Sequence, residues 1–171
     1  GTGECDQSFS PPVPVPHNLP RSYRAPRMLR GRIDLADTQV HPEPTPEQIA
    51  EAAMGAARHV RRFGIEPQVA LCSHSQFGNM DTEPARRMRA ALDILDARGP
   101  DFAYEGEMSA DAALDPELRQ RIFPNARFEG PANVLVFAGT DTASGVRNIL
   151  KTHAGGLEVG GVECDVGVAQ L

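Results

Sequence analysis

Apolar positions along the chain recur in two periods, and the alternation of those periods predicts strands followed by helices. Val69 to Leu71 form an apolar run suited to a central parallel strand. From Pro84 onward, Met88, Ala91, Leu92 and Leu95 paint one stripe of an amphipathic helix, with Arg86, Arg87, Arg89 and Asp93 on the other face. Asp81 and Thr82 precede this helix as expected caps, and Pro84 suits its first turn. Between strand and helix, Ser73, Ser75 and Gly78 interrupt the pattern with hydroxyls and a flexible backbone.

The same plan repeats on either side. Ile33 to Val40 is expected to supply a short strand or edge segment. Thr45, Pro46 and Gln48 form a helix start with a cap, a proline at the first position and a residue that reaches back. Ile49, Ala53, Ala56, Val60 and Phe63 then share a face, and Gly64 is placed to end the helix in a left-handed conformation. Gly99 and Pro100 end the second helix, and Phe102 to Glu105 read as extended. Asp115 to Ile122 read as a short helix, and Ala132 to Ala138 as the clearest buried strand. Gly139 to Thr142 follow as a polar loop, with a helix from Ala143 to His153. The sum is an α/β fold, a three-layer sandwich with a mostly parallel sheet, whose polar loops converge on one edge.

In such sheets ligands sit beyond the carboxyl ends of the strands, where helix N-termini offer free N–H groups. Ser73, Ser75 and Gly78 occupy such an end, where the serines either meet a ligand or satisfy backbone groups in the turn. Glu107 and Asp111 would share a helix face if Glu107 to Leu114 is helical. Such a carboxylate pair serves acid/base or metal chemistry, or is a solvated face or a set of caps.

Composition narrows the picture. A chain of 171 residues is one domain with a real core, and residues 1–32, rich in proline, read as an arm or linker. The net charge of -6, with arginines dispersed, argues against nucleic acid, and aromatics at 5% without Trp give no stacking platform. Cys5, Cys72 and Cys164 are odd in number and form no CxxC pair, which argues against a disulfide framework or structural zinc and for a reducing cytoplasm. No apolar run approaches the roughly 20 residues that span a bilayer, so no membrane association is expected. The five histidines show no metalloprotease spacing. His74 lies between the loop serines, but adjacent loop residues point apart and the G-x-S-x-G elbow is missing, which argues against a Ser/His dyad. No Walker or glycine-rich nucleotide motif is present.

The segments DTQVHPEPTPEQIAEAA, RRFGIEPQVALCSHSQFG, ARRMRAALDIL, YEGEMSADAAL, RIFPNARFEGPANVLVF and NILK, in this order, resemble the phosphate acetyl/butyryl-transferase family. Within it the resemblance is closest to the phosphotransacetylase-like C-terminal region of bacterial NADP-dependent malic enzymes, and covers residues 33–160. It implies a phosphotransacetylase or isocitrate dehydrogenase-like fold, distal domain only, with the acyl-CoA cleft along its edge. It also implies that most of the first domain, with the residues that handle phosphate and the acyl group, is missing, so no catalytic residue is carried over. The ligand-side positions carried over are Ser73, Ser75, Gly78, Glu107 and Asp111, with Phe77 and Gly106 beside them.

The chain departs from the family at Ala138 and Gly139, where a Pro-Asn pair is usual, and at Ser144 and Arg147, where Asn and Tyr are usual. Residues 161–171 form a divergent tail. The function implied is a non-catalytic module for acetyl-CoA sensing or oligomer assembly, in a parent that oxidatively decarboxylates malate. The alternative is a phosphate acyltransferase that needs the missing domain. Acetyl-CoA is then the expected ligand, and NADP and a divalent metal belong only to the parent's absent domains. The expected protein partner is a second copy, in a homo-oligomer, or the missing domain.

Overall fold

A computed structural model describes residues 34–36 and 43–153. The proline-rich arm, the divergent tail, Cys5, Cys164, His17 and His41 lie outside the described residues.

The elements run β1 (Asp34–Ala36), α1 (Pro46–Arg61), β2 (Gln68–Cys72), α2 (Glu83–Arg98), β3 (Ala103–Met108), α3 (Ala110–Leu114), α4 (Pro116–Ile122), β4 (Val134–Phe137) and α5 (Thr140–His153). The capping box opens α1 as the sequence suggests: Gln48 N donates to Thr45 Oγ1 at 3.3 Å, and Thr45 N to Gln48 Oε1 at 2.9 Å. The helix ends sooner than its apolar stripe does. Gly64 takes φ +72° past the end, and Phe63 stands half exposed instead of on the buried face. Gly99, at φ +56°, closes α2 with its N–H on Leu95 O.

Three further expectations need correcting. Neither Asp81 nor the Thr82 hydroxyl caps α2, because Asp81 pairs with Arg86 and Arg89 and Thr82 Oγ1 meets His74 Nε2 at 3.0 Å. Glu107 is not helical: β3 runs on through Met108, so Glu107 and Asp111 do not share a helix face. Thr140 to Thr142 are not loop but the first turn of α5.

The four strands pair in parallel in the order β1-β4-β2-β3. Alternation along β2 and β4 divides the core in two. Val69, Leu71, Val134 and Val136 face α1 and α2, packing on Ile49, Val60, Met88 and Leu95. Ala70, Cys72, Leu135 and Phe137 face the other way, onto Met108, Ala112, Phe128 and Ala143. Helices therefore cover both faces, giving three layers. The order also fixes where chains diverge: α2 follows β2 on one face, and α5 follows the neighbouring β4 on the other. Such a divergence between adjacent strands marks the usual ligand position in open α/β sheets, at their carboxyl edge. Among the described residues no helix is long and apolar enough to cross a membrane.

Candidate functional site

The register of β2 against β3 slips by one residue at this edge. Leu71 pairs with Gly106 and Cys72 with Met108, so Glu107 is the extra residue of a bulge. A bulged residue leaves the ladder and its side chain is re-aimed. Gly106 makes this possible, because a Cβ there would lie 2.8 Å from Leu71 O. The Gly106–Glu107 peptide is cis.

Glu107 is 1% exposed and holds the loop after β2 by two groups. Its carbonyl accepts from Phe77 N at 2.7 Å. Its Oε1 accepts from Ser75 Oγ at 2.5 Å, Gly78 N at 3.0 Å and Arg89 Nη1 at 3.0 Å. The loop is bent for this purpose, with Phe77 at φ +49° and Gly78 at +86°. Phe77 then stacks on Phe123 with ring centroids 4.2 Å apart.

Ser75 is fully buried, and Met80 N donates to its Oγ at 3.2 Å. Ser73 flanks it, with Ser75 N donating to Ser73 Oγ at 3.2 Å and Ser73 N to Met108 O at 2.8 Å. Asp111, exposed in α3, joins only through intermediates: Gln76 Nε2 donates to Ser109 Oγ at 2.7 Å, and the Ser109 hydroxyl bonds Asp111. That hydroxyl, then the Ala112 N–H, hold the Asp111 carboxyl below its usual range. Of the five candidate residues, Ser75, Gly78 and Glu107 are in direct contact, Ser73 is one bond away, and Asp111 is reached by relay.

Two arginines escaped the sequence reading. Arg89, expected with Arg86, Arg87 and Asp93 on the polar face of α2, lies next to Met88 at the border of the buried stripe. It reaches inward to Glu107 and Met80 O, and outward to Asp81. Arg119, 1% exposed, donates to the carbonyls of Ala112, Ala113, Phe128, Glu129 and Gly130 and lies over the Phe128 ring. Burial lowers its pKa. Nothing in the spacing of a surface-patterned short helix signals such a residue. Cys72 sits in the second core beneath the loop, its thiol pushed up to about 12 by burial. Among the described residues no group of three or more His, Cys, Asp or Glu could hold a metal ion.

The family profile described as phosphate acetyl/butaryl transferase matches residues 23–168. The chain belongs to that phosphate acetyl/butyryl transferase family. Malic enzymes and phosphate acetyltransferases are both among its relatives. An NAD-dependent malic enzyme of Rhizobium meliloti is 43% identical over 77% of this chain, and an NADP-dependent malic enzyme of Salmonella typhimurium is 44% identical over the same share. A phosphate acetyltransferase of Treponema pallidum is 41% identical over 68% of the chain. The chain spans only 17% and 18% of the two malic enzymes and 35% of the acetyltransferase. Among solved structures, the EutD phosphotransacetylase from Staphylococcus aureus superposes with a TM-score of 0.65 at 26% identity, covering 71% of this chain and 38% of that one. A phosphotransacetylase from Streptococcus pyogenes gives 0.65 at 30% identity over 68% and 36%. The three-layer fold is thus that of the phosphotransacetylases.

Proposed function

We propose that the chain is the phosphotransacetylase-like C-terminal module of a cytoplasmic malic enzyme, non-catalytic, and that it binds acetyl-CoA along the carboxyl edge of the sheet or holds subunits together. The observation that carries the non-catalytic reading is the Ser75–Glu107 contact. The contact is closed off from solvent, with Ser75 0% and Glu107 1% exposed, so a carboxylate that could activate the hydroxyl meets no substrate there. The malic enzymes, 43% and 44% identical over 77% of the chain, support the parent assigned here. Ser73, Gly78 and Asp111 lie on the rim that a ligand would meet, while Ser75 and Glu107 shape it from beneath. In this reading NADP and a divalent metal act on other domains of the parent, and the partner of this one is a second copy or a neighbouring domain.

The Treponema phosphate acetyltransferase, 41% identical over 68% of the chain, favours a second reading. In it the module transfers acetyl groups between CoA and phosphate once a partner domain completes the cleft. Calorimetric titration of the full chain with acetyl-CoA, run beside an assay of acetyl-CoA formation from acetyl phosphate and CoA, separates the two. Saturable binding without turnover supports the sensor. Turnover overturns it and returns the chain to the transferases, and absence of both leaves assembly as the role, to be read from the oligomeric state.

A further inference from the structure

Three donors converge on Glu107 Oε1, yet Glu107 Oε2, equally buried, accepts from none. An acceptor left unpaired in a low-dielectric interior is costly, and a donor placed beside it is drawn in. Arg89 is so placed. Its Nη1 rests on Glu107 Oε1 at 3.0 Å and on Met80 O at 3.3 Å, while its Nη2 is held at 3.1 Å by Oδ1 of Asp81, an exposed residue whose other oxygen takes Arg86 Nη1 at 2.9 Å. Guanidinium and carboxylate prefer to meet fork to fork, through two parallel hydrogen bonds. Here Asp81, on the rim, holds the second nitrogen that such a fork would use. The Asp81 contact is solvated and screened, so its hold is weak.

We propose that Arg89 is a two-position element that couples the rim of the loop to the buried bulge. With Asp81 engaged, Arg89 touches Glu107 through one nitrogen. With Asp81 released, by a cationic group that pairs with it or by substitution, the guanidinium turns, Nη2 takes Glu107 Oε2, and the pair becomes bidentate. The Phe77–Gly78 turn hangs from Glu107 by both carbonyl and carboxylate, so it tightens in the second position. The device rests on this geometry alone and stands whichever ligand the carboxyl edge takes.

Asp81→Asn in the full chain tests it, because a purely structural rim bridge and a switch predict opposite signs. The readouts are amide hydrogen exchange at Gly78, whose N–H sits on Glu107 Oε1, and the nitrogen-15 resonances of the Arg89 side chain. The switch predicts Gly78 exchange slowed several-fold and Arg89 resonances sharpened by restricted rotation. In an Arg89→Lys background, where an ammonium cannot form a fork, Asp81→Asn must leave Gly78 exchange unchanged. Glu83→Gln, which breaks the exposed Glu83–Arg87 pair on the same helix, must also leave it unchanged. Faster or unaltered Gly78 exchange in Asp81→Asn overturns the proposal, as does slowing that persists in the Arg89→Lys background.

Discussion

Ser75 and Glu107 stand 32 residues apart in the chain and 2.5 Å apart at Oγ and Oε1, which ties the loop after β2 to the bulge in β3. Ser75→Ala removes one of three donors to a buried carboxylate and the acceptor of Met80 N. Leaving such groups short of partners costs about 1–3 kcal/mol. Urea unfolding should show a lowered midpoint with an unchanged slope, and faster amide exchange at Gly78 and Met80. An unchanged midpoint would show that the hydroxyl does not support the loop.

Gly106→Ala should be costlier than its size suggests. The added Cβ would meet Leu71 O at 2.8 Å and Leu71 Cβ at 2.9 Å, in a neighbouring strand that has no room to give. Overpacking of this kind costs about 1–3 kcal/mol. Gly145→Ala in α5, where nothing lies within 4 Å, is the matched control, and should stabilise by up to about 1 kcal/mol. Thermal unfolding of the two variants should move in opposite directions, and a shared direction would contradict the close strand approach.

Arg119→Met tests whether the buried guanidinium organises the segment that leads into β4. Its loss leaves five carbonyls, at 112, 113, 128, 129 and 130, without this donor. A destabilisation of roughly 3–5 kcal/mol follows from several buried acceptors losing one partner together. Arg119→Lys should recover only part of it, because a single ammonium cannot reach both carbonyl groups of α3 and the carbonyls of 128–130 at once. Chemical denaturation ranks the three proteins. Near-complete rescue by Lys would mean that charge, not the fork geometry, is what the site needs.

The legible features of this chain are those with a local cause. The capping box at Thr45 and Gln48, the apolar run that became β4 and the Asp115 start of α4 each follow from residues within one turn or one strand. The Asp115 carboxylate, for instance, accepts from both Glu117 N and Leu118 N. The features missed are set by partners far along the chain. Glu105, Gly106 and Glu107 break the apolar alternation of β3, so the strand reads as finished where a bulge in fact carries it onward. Glu105 itself is buried because Arg127 N and Gly106 N bind its two oxygens, which no spacing rule anticipates. Arg89 and Arg119 look like solvated helix residues until the bulge and the 128–130 carbonyls are in place. The candidate loop was therefore readable as a loop, but its division into a buried clamp and an exposed rim was not.

Acid should expose a further long-range contact. Arg127 grips Asp96 at 2.5 and 3.1 Å, and Tyr104 donates to it at 2.5 Å; the Arg127 hydrogen bond first, then the tyrosine, hold the Asp96 carboxyl below its ordinary range. A carboxyl whose folded pKa lies below its unfolded one favours the folded state at pH above the unfolded value, near 4, and loses that contribution as pH falls toward the folded value. Asp96→Asn should therefore unfold more readily than the wild-type chain at neutral pH, by under about 1 kcal/mol because the pair is half exposed. The gap should close as pH drops below roughly 4, and narrow in high salt. Asp111, lowered by Ser109, keeps the same sign in both proteins and cancels from the difference. Urea midpoints of the two proteins from neutral to acid pH supply the measurement. A gap that stays constant on acidification would mean that Asp96 gains nothing from Arg127 on folding.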